Sequence, residues 1–451
     1  MSAPDHKWSS AGSGKMKIVD QPDQPNMFSN LPIVVDPQEA ERFIESLKKF
    51  DIEEVGNSDW MLQHERLEKL NVQAHQSAMS NSDEYVLEAI LTFEKIDVLI
   101  HSLIVIEAWK EKIYPHLLDR VAGRNSMRIY FILYHEATIV NFMEVLLYHQ
   151  HVCETIGEKA IELIDYCARK ISRLNGGYDF RSIEPESKYN DNGEKKSIKE
   201  RADDMASKTP KDELTNYLTE IEFKSCIASV AMCRFLCEHV ETLPLSVISR
   251  ITDTHDILIL MIPLIENPPW TRRDEDTGKW EKLIDQKWQI VPPIDLLKVT
   301  KLEGQPWLAL YHLLAKNAFR ERYHLNSFRK GQVLRVRKFI NEIILDQLPF
   351  LADIQRYMDE LTVMDVPEHG GQDSVFMFQQ VAVEREKLIK NRDWKNAADK
   401  IFETIFTMTD KDDKDLRRMA DLYADDALGE VMEPGDGELA PELLAAGISK
   451  D

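Results

Sequence analysis

Side chains able to do chemistry are densest around one point in this chain: His135, Glu136, Glu144, His149 and His151 fall within seventeen consecutive residues. Imidazoles and carboxylates at that density could hold zinc and activate a water molecule, with a spare carboxylate as base. The spacing argues against it. A helical zinc-hydrolase pattern, His-Glu-x-x-His, needs a second imidazole four residues after His135, where Ile139 stands, and His149 follows fourteen residues on, nearly four helical turns away. These residues read as structural or surface groups, and metal-dependent hydrolysis at His135 and Glu136 ranks last among the functional readings.

Cys226, Cys233 and Cys237 share a second stretch of helical pattern, the last two four residues apart on one face. Structural zinc calls for four ligands at knuckle spacing, and no Cys-x-x-Cys pair occurs here, nor does the nearby His239 complete one. With Cys153 and Cys167 they are an odd, dispersed set of five in apolar surroundings, where a thiol behaves as a small hydrophobe in a reducing compartment. Gly12-Ser-Gly14-Lys15 hints at a phosphate loop, but no strand precedes it and no Ser or Thr follows the lysine. No catalytic, cofactor or metal residue is assigned.

Arg329, Lys330, Arg335, Arg337 and Lys338 make one basic stretch, but Val333, Leu334, Val336 and Phe339 interleave with them as in an amphipathic helix with a basic solvated side. The whole chain, with 56 basic and 78 acidic residues for a net charge of −22, opposes attraction to nucleic acid or anionic lipid. Trp60, Trp109, Trp270, Trp307 and Trp394 are a more promising sign, because exposed tryptophans often dominate the affinity of protein interfaces. Tryptophan also fills cores well, so about half of them are expected to be buried.

The elements that must position these groups are helices. Gly and Pro, at 17 and 19 of 451 residues, are too sparse for a loop-rich β-protein. Residues 1–35 read as a disordered tail without the basic and apolar regions of a secretory signal. Asp36-Pro37 with Glu39 is helix-start chemistry, and Ser58 with Asp59 caps a second helix. Further helices are expected over 84–94, 96–117, 126–150 and 155–174; Arg128 to His149 is apolar almost all round, as in a helix buried by neighbours. The longest unbroken apolar run, Ile257 to Ile265, is too short to span a bilayer, and no transmembrane segment is expected.

A mixed-charge stretch, 176–213, is read as a linker or insertion between helical domains over 36–175 and 214–432. In the second domain helices are expected over 214–242, 293–316, 327–346, 350–361, 375–391, 393–407 and 411–430, with a short β-hairpin near 279–291 closed by Pro292-Pro293. An acidic tail occupies 433–451. The fold class is all-α: an irregular armadillo-like helical array or multi-helix bundle with one hairpin insertion, although no exact repeat period appears.

Particular strings carry more than their physics. Trp60-Met-Leu-Gln-His-Glu-Arg-Leu-Glu-Lys-Leu-Asn71, Tyr134-His-Glu-Ala-Thr-Ile-Val-Asn141 and Asp165-Tyr-Cys167, followed by Pro269-Trp-Thr-Arg-Arg273, Lys301-Leu-Glu-Gly-Gln305 with Trp307, Ser327-Phe328, Lys330-Gly331 and Leu345-Asp-Gln-Leu-Pro349, are met in this order. The chain resembles, over roughly residues 37 to 427, the MYND-finger axonemal dynein assembly factors, the BLU family. That resemblance implies an assembly factor in the cytoplasm, near centriolar satellites or the ciliary base, that helps outer and inner dynein arms form. Its implied partners are dynein heavy and intermediate chains, heat-shock chaperones, an FKBP-type prolyl isomerase and a leucine-rich-repeat co-chaperone with a CS domain. Candidate partner-binding residues are Trp60, His64, Glu65, Trp270, Arg272, Arg273 and Trp307. The family usually ends in a double zinc finger of seven Cys and one His, whereas residues 421–451 contain neither type, so zinc binding is not carried over. A generic helical adaptor is the alternative.

Overall fold

Helix formation begins where the acid and proline place it: Asp36 accepts the Glu39 amide at 2.9 Å and Pro37 opens α1 (Pro37–Glu45). The computed structural model describes residues 33–80, 82–124, 127–176, 209–274, 278–284, 287–320, 322–364 and 384–407, with 414, 416 and 418. Outside these residues fall nearly all of the tail read over 1–35, most of the 176–213 stretch, the first part of the helix expected over 375–391, most of that over 411–430 and all of the 433–451 tail.

A 3-10 turn, Ile52–Glu54, leads into α2 (Ser58–Ser80), whose cap is Asn57 and not Ser58: the Asn57 side-chain oxygen accepts the Trp60 amide at 2.8 Å. Next come α3 (Tyr85–Thr92), α4 (Ile96–Lys112), α5 (Tyr114–Ala122), α6 (Met127–Leu147), α7 (Gln150–Ile156) and α8 (Ala160–Asn175). The helix expected over 96–117 is two, because Pro115 has no amide to continue α4 and instead suits the first turn of α5. In the same way Gly157, at a φ of 55°, separates α7 from α8 within the expected 155–174 helix.

A Thr209–Asp212 capping box starts α9 (Pro210–Glu238), which lies against α5, α6, α8 and α12 (Lys301–Ala315). Contacts with so many non-sequential helices make an irregular bundle, not the neighbour-only stacking of a solenoid. By length and composition alone α6 could cross a membrane, but α2, α4 and α9 pack around it and bury most of its apolar side chains, the surroundings of a core helix. The buried apolar residues form one cluster running from Val35 to Phe406.

After α10 (Leu245–Ser249) and α11 (Ile257–Glu266), the expected hairpin appears as β2 (Trp280–Ile284) and β3 (Lys287–Val291), antiparallel with Trp280 opposite Val291 and Ile284 opposite Lys287. It is part of a three-stranded sheet of order β1-β2-β3, since β1 (Thr271–Arg273) pairs with β2. Three residues are too few for alternation to reveal a strand.

Short helices α13 (Asn317–Arg320), α14 (Ser327–Val336), α15 (Glu342–Gln347) and α16 (Leu351–Val363) follow. The expected 327–346 helix is broken because the Asn341 side chain accepts the Ile344 amide at 3.0 Å and caps a new helix. Finally α17 (Glu384–Ile389) and α18 (Trp394–Ile405) return to the N-terminal half, α17 against α4 and α18 against α5. Arg392 forks onto Asp51 at 2.6 and 2.8 Å, Arg120 pairs with Asp399 at 2.6 Å, and Arg124 donates to the Phe406 carbonyl at 2.6 Å.

One backbone position bears on this docking. Gly56 has a φ of 91°, and a methyl there would stand 2.6 Å from Ile132 Cδ1 and 3.4 Å from Ile405 Cγ2. Gly56→Ala therefore meets both an unfavourable backbone and a collision with α6, and should lower unfolding stability by about 2 kcal/mol. Urea denaturation followed by circular dichroism checks it; an unchanged midpoint would contradict this account.

Candidate functional site

Isolated charged residues on otherwise apolar helix faces converge at one place in the bundle. Lys110 of α4, Glu136 of α6, Lys170 of α8 and Glu222 of α9 have side chains no more than 7% exposed. Lys170 Nζ lies 2.7 Å from Glu136 Oε1 and 2.6 Å from Glu222 Oε1, while Lys110 Nζ donates to Glu136 and, at 3.0 Å, to Glu222 Oε2. The Tyr166 hydroxyl donates to Glu136 Oε1 at 2.7 Å. Arg173, half exposed, reaches Glu222 Oε1 at 2.5 Å from the solvent side.

Above this floor lies an open cleft of about 280 Å³. On its rim Arg169 pairs in a fork with Glu107, at 2.9 and 2.6 Å. Arg385 of α17 joins Glu107 at 3.3 Å and also bonds Glu111, so the last helices help to build the cleft. Leu218 and Thr219 of α9 complete the wall.

Burial disfavours ionisation of Glu136 and Glu222, but the adjacent Lys110 and Lys170 outweigh it and hold both carboxyls below their usual range. Burial likewise opposes the charge of Lys170, and the two carboxylates outweigh it and hold the ammonium charged beyond its usual range. Carboxylates so held are weak bases. Chemically the arrangement is suited to presenting N–H donors to a ligand, and its lining among the described residues contains no Cys, Ser or His.

The residues singled out in the sequence lie elsewhere. Trp60 is buried against α6, its ring 5.6 Å from that of His64 and 4.5 Å from that of His135. His64 and His135 face each other at 3.0 Å between Nδ1 atoms, and burial pushes His64 down to about 3. Glu65, also buried, bonds Lys69 at 3.2 Å and Arg418. Trp270 is buried and its carbonyl accepts the Leu283 amide at 2.9 Å. Arg272 pairs with Glu281 at 2.8 Å with its guanidinium 4.1 Å above the Trp288 ring, and the exposed Arg273 donates to the Gly278 carbonyl at 2.9 Å. Trp307 is buried in α12. Exposed aromatic anchors are thus not found at Trp60, Trp270 or Trp307; Trp109 is core as well, and Trp394 is half-buried. Each has apolar helices or the sheet on its large face, the setting that burial of so much apolar area favours.

Among the described residues no group of three or more His, Cys, Asp or Glu is placed to hold a metal ion. His135 turns to α2 while Glu136 turns to the cleft, and His149 pairs with Glu84 at 3.0 Å. The basic stretch is paired with neighbouring elements: Arg329 to Asp256 at 2.7 Å, and at the surface Lys330 to the Met364 carbonyl at 2.7 Å, Arg335 to Glu266 at 3.1 Å and Arg337 to Asp359 at 2.7 Å. Sequence reasoning passed over Lys110, Lys170 and Glu222. Their signal was available, a single charge at a position where the helical period calls for an apolar side chain.

Two measurements test this chemistry. Glu222→Gln leaves Lys110, Lys170 and Arg173 short of a carboxylate and should destabilise the fold by about 3 to 5 kcal/mol in urea unfolding; a cost below the range of ordinary surface changes would refute the pairing. The buried His64 stays neutral when folded but takes a proton near pH 6.5 when unfolded, so its contribution to stability is lost as pH falls below 6.5 toward 3. In His64→Gln the stability lost between pH 7 and pH 5 should shrink by about 2 kcal/mol, read from urea midpoints at both pH values.

Within the strings that single this chain out, Glu68 and Thr138 bond each other across α2 and α6, and Asp165 holds His255 at 2.6 Å and Arg250 at 3.2 Å. No family model matches the chain, and no solved structure matches it. It is 33% identical over 331 residues to the zinc finger MYND domain-containing protein 10 homolog of Drosophila melanogaster, a match that covers 73% of this chain and 69% of that protein. With that identity over that span, the chain belongs to the zinc finger MYND domain-containing protein 10 family.

Proposed function

We propose that the protein is a non-catalytic assembly factor, a co-chaperone or adaptor, that helps outer and inner axonemal dynein arms form in the cytoplasm before they enter the cilium. The observation that carries this reading is membership of the family, on a match covering most of the chain. The ordered strings from Trp60 to Pro349 agree with it, since they resemble the dynein assembly factors over that span. The clients are dynein heavy and intermediate chains. Heat-shock chaperones, an FKBP-type prolyl isomerase and a leucine-rich-repeat co-chaperone with a CS domain act beside it, near centriolar satellites or the ciliary base. A body of buried, mutually paired charges and neutral histidines suits binding better than turnover.

Deletion of the gene in ciliated cells should leave immotile cilia whose axonemes lack both rows of arms in electron micrographs, with re-expression of the full chain restoring them. Normal arms in such cells would overturn the proposal and leave the generic adaptor as the better reading. Affinity capture from ciliating cells should bring down dynein chains with chaperones.

A further inference from the structure

We propose that the charged cleft is a docking site for a carboxylate on an acidic segment of a partner protein, and that its occupancy is linked to the seating of α17. Among the described residues five cations, Lys110, Arg169, Lys170, Arg173 and Arg385, line the cleft against four carboxylates, in a chain whose net charge is −22. The excess of hydrogen-bond donors is larger than that of charge. A guanidinium carries five N–H groups and an ammonium three, with no acceptor among them. The Arg169 fork onto Glu107 uses Nε and Nη2, and Arg385 uses the same two nitrogens on Glu107 and Glu111, which leaves the Nη1 group of each for a ligand. Among the described lining residues N–H donors thus outnumber oxygen acceptors, and a carboxylate brings two acceptors in the planar geometry a guanidinium matches.

The volume of about 280 Å³ accommodates an acidic side chain with its neighbouring backbone and leaves no room for a folded element. Arg385 is the described cleft residue that comes from the C-terminal helices; it is 18% exposed and shares the lining with the Arg173 side chain, which is half in solvent. A carboxylate held by both would add a bond between α17 and α8. By linkage, whatever ligand prefers the seated α17 must also stabilise that seating. This takes from the proposed function only that the ligand belongs to a protein.

The test uses the purified full chain, so it can fail while the ciliary reading stands, or the reverse. Fluorescence anisotropy would follow a labelled peptide of alternating Glu and Gly, with the Gln-Gly peptide under the same label as control. Saturable binding of the Glu peptide alone is expected, weakened roughly tenfold or more in both Arg173→Ala and Arg385→Ala, with slower amide exchange over residues 384–389 when the peptide is bound. Arg173→Ala removes a half-exposed side chain and keeps the binding test decisive should Arg385→Ala loosen the fold. No saturable binding, equal binding of the Gln peptide, or unchanged affinity in Arg173→Ala would overturn the site. Displacement by inorganic phosphate at concentrations below those of the peptide would show a small-oxyanion site instead and overturn the protein ligand. Unchanged exchange over 384–389 would overturn the linkage.

Discussion

Two lysines facing two glutamates between apolar helices dictate how α4, α6, α8 and α9 can meet. Removing four charges from water is costly, and their attraction offsets that cost only while each nitrogen keeps its oxygens at bonding distance. Sliding any one helix by a turn moves its charge by about 5.4 Å and leaves the others unmatched. Apolar packing tolerates many near-equivalent registers, whereas this network tolerates one. Its contribution is therefore to uniqueness more than to stability, and α9, which meets α6 and α8 along their length, inherits its placement from Glu222.

Neighbouring residues of α6 serve opposite environments. His135 sits in a neutral seam with Trp60, His64 and Phe131, while Glu136, one position on and about 100° around the helix, sits among cations. That angular separation is why the pair, suggestive of metal chemistry when written side by side, cannot converge on one ion. It also explains a helix with almost no amphipathic character: α2, α4 and α9 pack around α6, and Arg128, His135, Glu136 and Thr138 each meet partners of their own.

Much of the architecture was legible because local signals and tertiary demands agreed. Asp36 and Pro37 fix the start of α1, and the alternation around Trp280 and Trp288 marked the hairpin. Boundaries differ from the pattern where a competing cap intervenes, as at Asn57 and Asn341, or where Pro115 divides a continuous apolar run. Of the cleft residues the sequence singles out Glu136 alone, in a group whose other members His135 and His149 face different partners in the fold. Lys110 and Lys170 interrupt the apolar period of their helices, but their carboxylate partner on α9 lies more than a hundred residues away from Lys110 and about fifty from Lys170, beyond the reach of any local pattern. The tryptophans erred in the other direction, because residue type fixes how much apolar area there is to bury but not which helix will cover it.

The return of α17 and α18 to the N-terminal half has a consequence for the order of events at synthesis. Asp51 waits for Arg392, Arg120 for Asp399 and Glu65 for Arg418, separations of 341, 279 and 353 residues. Contacts so distant in sequence form late and slow a folding reaction that local helices would otherwise complete quickly. Until translation has passed Phe406, the flank of α5 that α18 will cover presents its apolar side chains and unpaired arginines to the cell. The first third of the chain, made first, is thus finished last.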